Sequence, residues 1–274
     1  MGETAEGWLI QVTRIVVLVK DIPDLNDIRI DPSTRSPIVE GAKRRLNDLD
    51  KRALEAAIRM KEAGGMEVVT VSLGDERTRI CVLEALAMGA DAAYVIIDPA
   101  LKGLDAGATS RVLEATIRKA GAFDVIVSGE LSLDGMGSQV GPRVAELLGI
   151  PQVTYAKELK YEAGKYRAVR DLEDVDEVVE AEPPFLVTVV REINEPRIPS
   201  LMNIMKAKRK PTTEWNAEAI GLKADELRAS IRVEVYDVKA PEVKRKRVMI
   251  KAEKVEDAVA KLVSALDAEG VLEG

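Results

Sequence analysis

SGELSLDGMGSQVGPRVAELLGIPQVTY, residues 128–155, starts where a β-branched run ends and passes through a glycine-rich turn into an amphipathic segment beginning near Ser138. A strand that gives way to a helix in this manner belongs to a sheet covered by helices. Gly135, Gly137 and Gly141 are expected to allow close backbone approach and positive φ, and the helix start to present unpaired N–H groups with a partial positive charge. Phosphate suits such an end. It would place a ligand at the carboxyl edge of the strands, where open α/β sheets bind. The spacing is neither the dinucleotide fingerprint nor a P-loop, since no Gly-Lys-Ser/Thr follows. On its own the segment reads equally well as a tight turn without a ligand.

Upstream, the same alternation continues without a break. Residues 14–20 read as the first strand, 49–63 as a helix, 67–73 as a strand, 77–88 as a helix, Ala92–Ile97 as a strand, 105–120 as a helix and 124–128 as the strand feeding the glycine turn. The first helix has Ala53, Leu54, Ala57 and Ile58 at helical spacing and stops at Gly64-Gly65; Gly89 and Gly121 close the other two. Four strands alternating with three helices predict a parallel sheet. The loops after those strands should share one edge with the turn: Leu18 and Lys20, then Asn47, Asp48, Leu49 and Asp50 at the next helix start, then Leu73 and Gly74. Singly these are ordinary loop residues, and their convergence on one crevice makes them candidates to contact adenine and ribose.

Downstream, residues 158–161 and 166–170 flank Ala163-Gly164 and read as an antiparallel hairpin. An acidic stretch, 171–182, precedes an apolar strand at 185–190. In REINEPRIPSLMNIMKAKRKP, residues 191–211, prolines surround Arg197, and Ser200 can cap a short helix with Leu201, Ile204 and Met205 on one side. Two readings stand: a docking surface, or a local core helix whose solvated end is the basic run 206–210. Beyond residue 210 the expectation is a Pro/Thr joint, an exposed Trp215, a strand at 231–238 and a charged helix at Val255–Ala268. That tail has little apolar surface of its own, so a partner chain is expected to cover it. The divisions are an N-terminal extension (1–13), a nucleotide-binding α/β domain (14–210) and a C-terminal arm (211–274).

The chain has 274 residues, 46% apolar and 32% charged, which is enough to bury a full core. It contains no histidine, which removes the commonest general base, the usual metal ligand and any Ser-His or Cys-His pair. Neither a catalytic side chain nor a metal is expected. Cys81, the single cysteine, lies in a helical pattern and reads as a small buried hydrophobe. A net charge of −7 and 3% aromatics argue against nucleic acid, despite basic runs at 206–210 and 244–247. The longest apolar stretches are far short of the roughly 20 residues that span a bilayer. The start lacks signal-peptide features, so a cytoplasmic location is expected, with any membrane association made through a partner.

NEPRIPSLMNIMKAKRK resembles the signature of electron transfer flavoprotein β subunits. In the same order, RIVVLVKDIPD, SLDGMGSQVGPRVAELLGIPQVTY and AVRDLEDVDEVVEAEPPFLVTV resemble that family's first strand, nucleotide loop and acidic-then-apolar motif, from about residue 14 to residue 210. The resemblance implies a doubly wound, mostly parallel, Rossmann-like sheet of the adenine-nucleotide α-hydrolase kind, with an antiparallel hairpin and an extended arm. It also implies a heterodimer with an α subunit that carries flavin adenine dinucleotide (FAD). A second adenine nucleotide would lie in this chain, on the strand-end residues above and on Gly129, Glu130, Leu131, Asp134, Gly135, Met136, Gly137, Ser138, Gln139, Val140, Gly141 and Pro142.

In respiratory members of the family that nucleotide is a structural AMP. In electron-bifurcating members it is FAD, which takes a hydride from NADH and divides the two electrons between a high- and a low-potential acceptor. DGMGSQVGP resembles the bifurcating DG-x-x-x-QVGP loop, although Met136-Gly137-Ser138 departs from its usual acidic residue plus Thr-Ala. The implied electron partners are an acyl-CoA or other dehydrogenase, a quinone oxidoreductase and, for the bifurcating type, ferredoxin. Glu195, Pro196, Arg197, Leu201, Ile204, Met205, Lys206 and Lys208 match the family's recognition loop. A stress-protein-like adenylate binder would explain the first half but not 194–208 or the tail, and a scaffold protein would explain the tail but not the glycines.

Overall fold

A computed structural model describes residues 13–162, 165–242 and 245–272. Residues 1–12 of the expected N-terminal extension, the Ala163-Gly164 turn and Lys244 of the second basic run lie outside the described residues. The first element among the described residues is β1 (Arg14–Leu18), followed by an excursion of four short strands, β2 (Asp21–Pro23), β3 (Arg29–Ile30), β4 (Pro37–Ile38) and β5 (Arg44–Leu46). There follow α1 (Asp48–Gly64), β6 (Glu67–Gly74), α2 (Thr78–Met88), β7 (Ala92–Ile97), α3 (Ala106–Ala120), β8 (Val125–Gly129) and α4 (Val140–Leu148). The rest comprises β9 (Gln152–Glu162), β10 (Lys165–Leu172), β11 (Val175–Ala181), β12 (Phe185–Val189), α5 (Leu201–Ala207), β13 (Thr212–Trp215), α6 (Ala224–Ala229) and α7 (Val255–Ala268).

Among the described residues, nine strands form one sheet in the order β11-β10-β9-β12-β8-β1-β6-β7-β13. Every pairing from β9 through to β13 is parallel, while β9-β10-β11 is antiparallel, so the expected doubly wound, mostly parallel sheet is present. The strand period of two sorts the core. Ile15, Val17, Val125 and Val127 face α1 and α2, whereas Val16, Leu18, Val69 and Ile126 face α3 and α4. Both faces of the central strands are therefore covered, which is why they read as unbroken apolar runs. Tyr166 packs edge-on against Phe185 at 5.3 Å and carries the first face out under the hairpin. Cys81 is buried there, and burial, followed by Asp21 and Glu84, pushes its thiol up to about 12.

Several expectations need correction. The acidic stretch 171–182 is largely β11, a third antiparallel strand. Its outward carboxylates hide the pattern, but Val179 packs against the core, and Lys157–Asp176 and Arg170–Glu177 ion pairs tie the outer face across the sheet. The sheet also continues past residue 210, because β13 pairs parallel with β7. Trp215 is accordingly half-buried, stacked on Tyr94 at 5.1 Å with the Lys119 ammonium 5.2 Å above its ring. Residues 231–238 alternate like a strand yet form no ladder, and Tyr236 is fully exposed. Alternation alone supplies no partner edge. The β2–β5 excursion was not anticipated either, its strands being only two or three residues long. Among the described residues no helix is long and apolar enough to cross a membrane.

Candidate functional site

Strand order reverses between β1 and β8, since β6 and β7 continue on one side of β1 and β12 and β9 continue beyond β8. In open α/β sheets such a switch point leaves a crevice at the carboxyl ends. Here it is a cleft of about 940 Å³ bordered by the ends of β1, β6, β7 and β8 and by the start of α4. That volume lies at the upper end of small-molecule sites.

Of the residues expected from the sequence, Leu18, Lys20, Asp50, Leu73, Gly74, Gly129, Glu130, Leu131, Gly135, Gly137, Ser138, Gln139, Val140 and Gly141 line the cleft. The others stand behind or beside its wall. Asn47 is fully buried; its Nδ2 donates to the Leu131 carbonyl at 2.9 Å and its Oδ1 accepts from the Leu133 amide at 3.1 Å, so it braces the loop. Leu49 packs beneath Gly129, and Asp48 pairs with Arg45. Asp134 pairs with Lys20 at 2.8 Å, Met136 points to solvent and Pro142 sits in the first turn of α4.

The glycines act differently from expectation. Left-handed backbone falls on Met136 (φ 47°) and Ser138 (φ 49°), not on Gly135, Gly137 or Gly141. Alternation of hand in a short segment turns successive N–H groups to one side, which makes an anion-binding concavity. Close approach is needed at Gly141, as expected, and also at Gly129. A Cβ at Gly129 would lie 2.5 Å from Asp50 Oδ1 and 2.9 Å from the Leu49 backbone, and one at Gly141 would lie 2.8 Å from Ser128 Oγ.

Three observations suit a phosphate-bearing ligand. The start of α4 has no side-chain cap, because the Gln139 carboxamide accepts from Arg143 at 2.9 Å rather than from the helix amides. Ser128 Oγ is buried without a hydrogen-bond partner at the cleft wall. Finally, the missing Cβ of Gly141 lets the helix start sit directly on that hydroxyl.

Asp50 joins the two sides of the switch point. Its Oδ2 accepts from the Lys20 amide at 2.8 Å, and the Gly129 amide and the Asn47 side chain also donate to the carboxylate. Burial nevertheless raises its pKa to about 7. Glu130 is shifted upward as well, first by burial and then by Glu192. Perturbed carboxyls gathered in a cleft make it a candidate functional site.

The sequence reading missed the far wall at Asp98, Pro99 and Lys102. Asp98 receives the Ala100 amide at 2.9 Å and the Ala217 amide at 3.1 Å, fixing the loop after β7. The available signal was that this is the third strand end, followed by Asp-Pro, a helix-start pair. Away from the cleft, Leu201 and Met205 are exposed with Lys206 and Lys208, and Glu195, Pro196 and Arg197 run along α1. Ile204 instead packs half-buried against the core beside Ile193.

Comparison with known proteins agrees with this architecture. A family model described as the electron transfer flavoprotein domain matches residues 37–220. An electron transfer flavoprotein subunit beta from Thermoanaerobacterium thermosaccharolyticum is 43% identical over 196 residues, covering 72% of this chain and 75% of its own length. The caffeyl-CoA reductase-Etf complex subunit CarD of Acetobacterium woodii is 39% identical over 262 residues, 94% of this chain and 100% of CarD. A subunit beta from Clostridium acetobutylicum is 37% identical, with 93% and 98% covered. With similarity running along nearly the whole chain and its cleft where an α/β sheet of this winding binds ligands, the chain belongs to the electron transfer flavoprotein β-subunit family.

Proposed function

We propose that the chain is the β subunit of a heterodimeric electron transfer flavoprotein of the bifurcating type, with FAD in its cleft and NADH as the hydride donor. The observation that carries the reading is the size of the cleft, about 940 Å³. It runs from the uncapped start of α4, across β1 and β6, to the loop after β7. That volume, at the upper end of small-molecule sites, leaves room for an elongated ligand with two ring systems. Support also comes from CarD, whose name places it in a caffeyl-CoA reductase-Etf complex. The α subunit, a dehydrogenase or quinone oxidoreductase, and ferredoxin are the partners of this reading.

When bound, a flavin supplies both hydride acceptance and single-electron release. The chain's own residues bind and orient. The open amides of Val140 and Gly141, Ser128 Oγ and the Lys20 ammonium would hold the phosphates, with Lys20 exchanging Asp134 for a phosphate oxygen. The apolar walls Leu18, Leu73, Ile97 and Leu101 would exclude water from the rings. Without histidine, the proton inventory falls to carboxyls such as Asp50 and Glu130.

Purified heterodimer should contain two flavins, measured by its visible spectrum and by chromatography of the extracted nucleotides. One flavin plus AMP would convert the assignment to the structural-nucleotide type, and absence of any nucleotide from this chain would overturn it. A second expectation concerns Lys20. Lys20→Ala should weaken nucleotide retention about tenfold, the worth of one charge-assisted hydrogen bond, and reduce its salt dependence. Dialysis at two ionic strengths reads this directly; unchanged retention removes Lys20 from the phosphate site.

A further inference from the structure

Arg52, Glu55, Arg59 and Glu62 of α1 are separated by steps of three and four residues, so they form one stripe. Arg52 and Glu55 are buried, although neither borders the cleft. They face the loop that precedes α5. Arg197 Nε donates to Glu55 Oε2 at 2.7 Å and its Nη1 to Glu62 Oε1 at 2.6 Å, while the Arg197 amide also donates to Glu55 at 3.2 Å. Arg59 holds Glu55 from the other side at 2.8 Å. Arg52 donates to the Asn194 carbonyl, and Asn194 Nδ2 returns a bond to the Arg52 carbonyl at 3.0 Å. Pro196 and Pro199 stiffen the segment on either side of Arg197.

This mount leads directly to α5, capped by Ser200 Oγ at 3.2 Å from the Asn203 amide. Ile198, Leu201, Met202 and Met205 stand 65% to 93% exposed there. A seven-residue helix has little stability of its own, so its position is inherited from the loop before it. We propose that Arg197 is a positioning residue for partner docking: its guanidinium, bonded to Glu55 and Glu62, fixes where Leu201 stands without itself meeting the partner. This rests on the reading that the heterodimer exchanges electrons with a dehydrogenase through this surface. The complementary site is an apolar pocket rimmed by carboxylates, because Lys206, Lys208 and Arg209 follow the apolar residues. An exposed Arg–Glu pair would contribute little, but Glu55 is buried, and a lost partner there leaves a desolvated carboxylate to rearrange the loop.

The test is a double-mutant cycle in the assembled heterodimer, using an acyl-CoA dehydrogenase as electron partner and reading KM for the heterodimer separately from kcat. Arg197→Lys keeps the charge and loses the two-pronged geometry. It should raise KM about tenfold with kcat unchanged, as should Leu201→Ala, and the double variant should be little worse than Leu201→Ala alone, because both act through one contact. Glu62→Gln, which leaves Glu55 paired, should move KM about threefold in the same direction and guards against a folding defect in the first variant. Multiplying effects, or an unchanged KM in Arg197→Lys, overturn the positioning role alone. An unchanged KM in Leu201→Ala overturns the docking reading and the proposal together.

Discussion

Replacing Gly129 by alanine is expected to empty the cleft of nucleotide and to lower the stability of the chain by about 2 to 3 kcal/mol, while Gly137→Ala leaves the stability unchanged. One methyl group separates the two outcomes. At Gly129 the new Cβ would meet Asp50 Oδ1 at 2.5 Å, Leu49 Cβ at 2.8 Å and the Leu49 backbone at 2.9 Å; at Gly137 nothing lies within 4 Å. Backbone cannot swing aside as a flexible side chain does, so the first turn of α1 must retreat from the end of β8. That turn carries Asn47, which braces Leu131 and Leu133, and Asp50, which receives the Lys20 amide. Both lips of the crevice therefore move. Nucleotide content after gel filtration and the urea midpoint read the two effects, and a Gly129→Ala heterodimer that keeps its nucleotide would count against the site as drawn here.

The stability of this chain should fall as pH rises from about 4 to about 7, and Asp50→Asn should flatten that fall. Burial raises the Asp50 pKa from 3.8 to about 7, so the folded chain holds this proton more tightly than the unfolded chain does. The destabilisation begins above 3.8, grows through the window and is complete above about 7, where it reaches about 4 kcal/mol. Asparagine removes that dependence but turns an amide donor toward the Lys20 and Gly129 N–H groups, at a cost of about 1 kcal/mol. The curves should therefore cross near about pH 4.5, the variant being less stable than the parent at about pH 4 and more stable at about pH 8. Asp31 and Asp75, both held near 2, act in the opposite sense only as pH falls below about 4, first through the Ser33 hydroxyl and the Arg77 guanidinium respectively. Urea unfolding of the nucleotide-free chain between about pH 4 and 8 is thus informative, and parallel curves would sink the assignment of a strained carboxylate.

Much of this architecture was legible because helices and strands with buried faces write their period into the sequence. Ala92–Ile97 and Val255–Ala268 were placed with their observed bounds, and Ser200 caps the helix it was expected to cap. What escaped lacked a period or carried a misleading one. The two- and three-residue strands between residues 21 and 46 are too short to show alternation, whereas residues 231–238 alternate without an edge to pair with. At the cleft, strand ends and the glycine turn were visible as a set, since loops after parallel strands converge on one edge. The roles inside that set were not. That Gly129 serves close packing, that Asn47 braces from behind and that left-handed backbone falls on Met136 and Ser138 depend on contacts between segments far apart in the chain.

The strand β11 forms one outer edge of the nine-stranded sheet. With its flanking residues, from Glu173 to Glu182, it presents six carboxylates and no lysine or arginine. An open edge is a template on which a second copy could pair, yet bringing two such edges together would set like charges a few ångströms apart. The acidity that obscured this strand in the sequence therefore opposes self-pairing through this edge, most strongly at neutral pH and low salt.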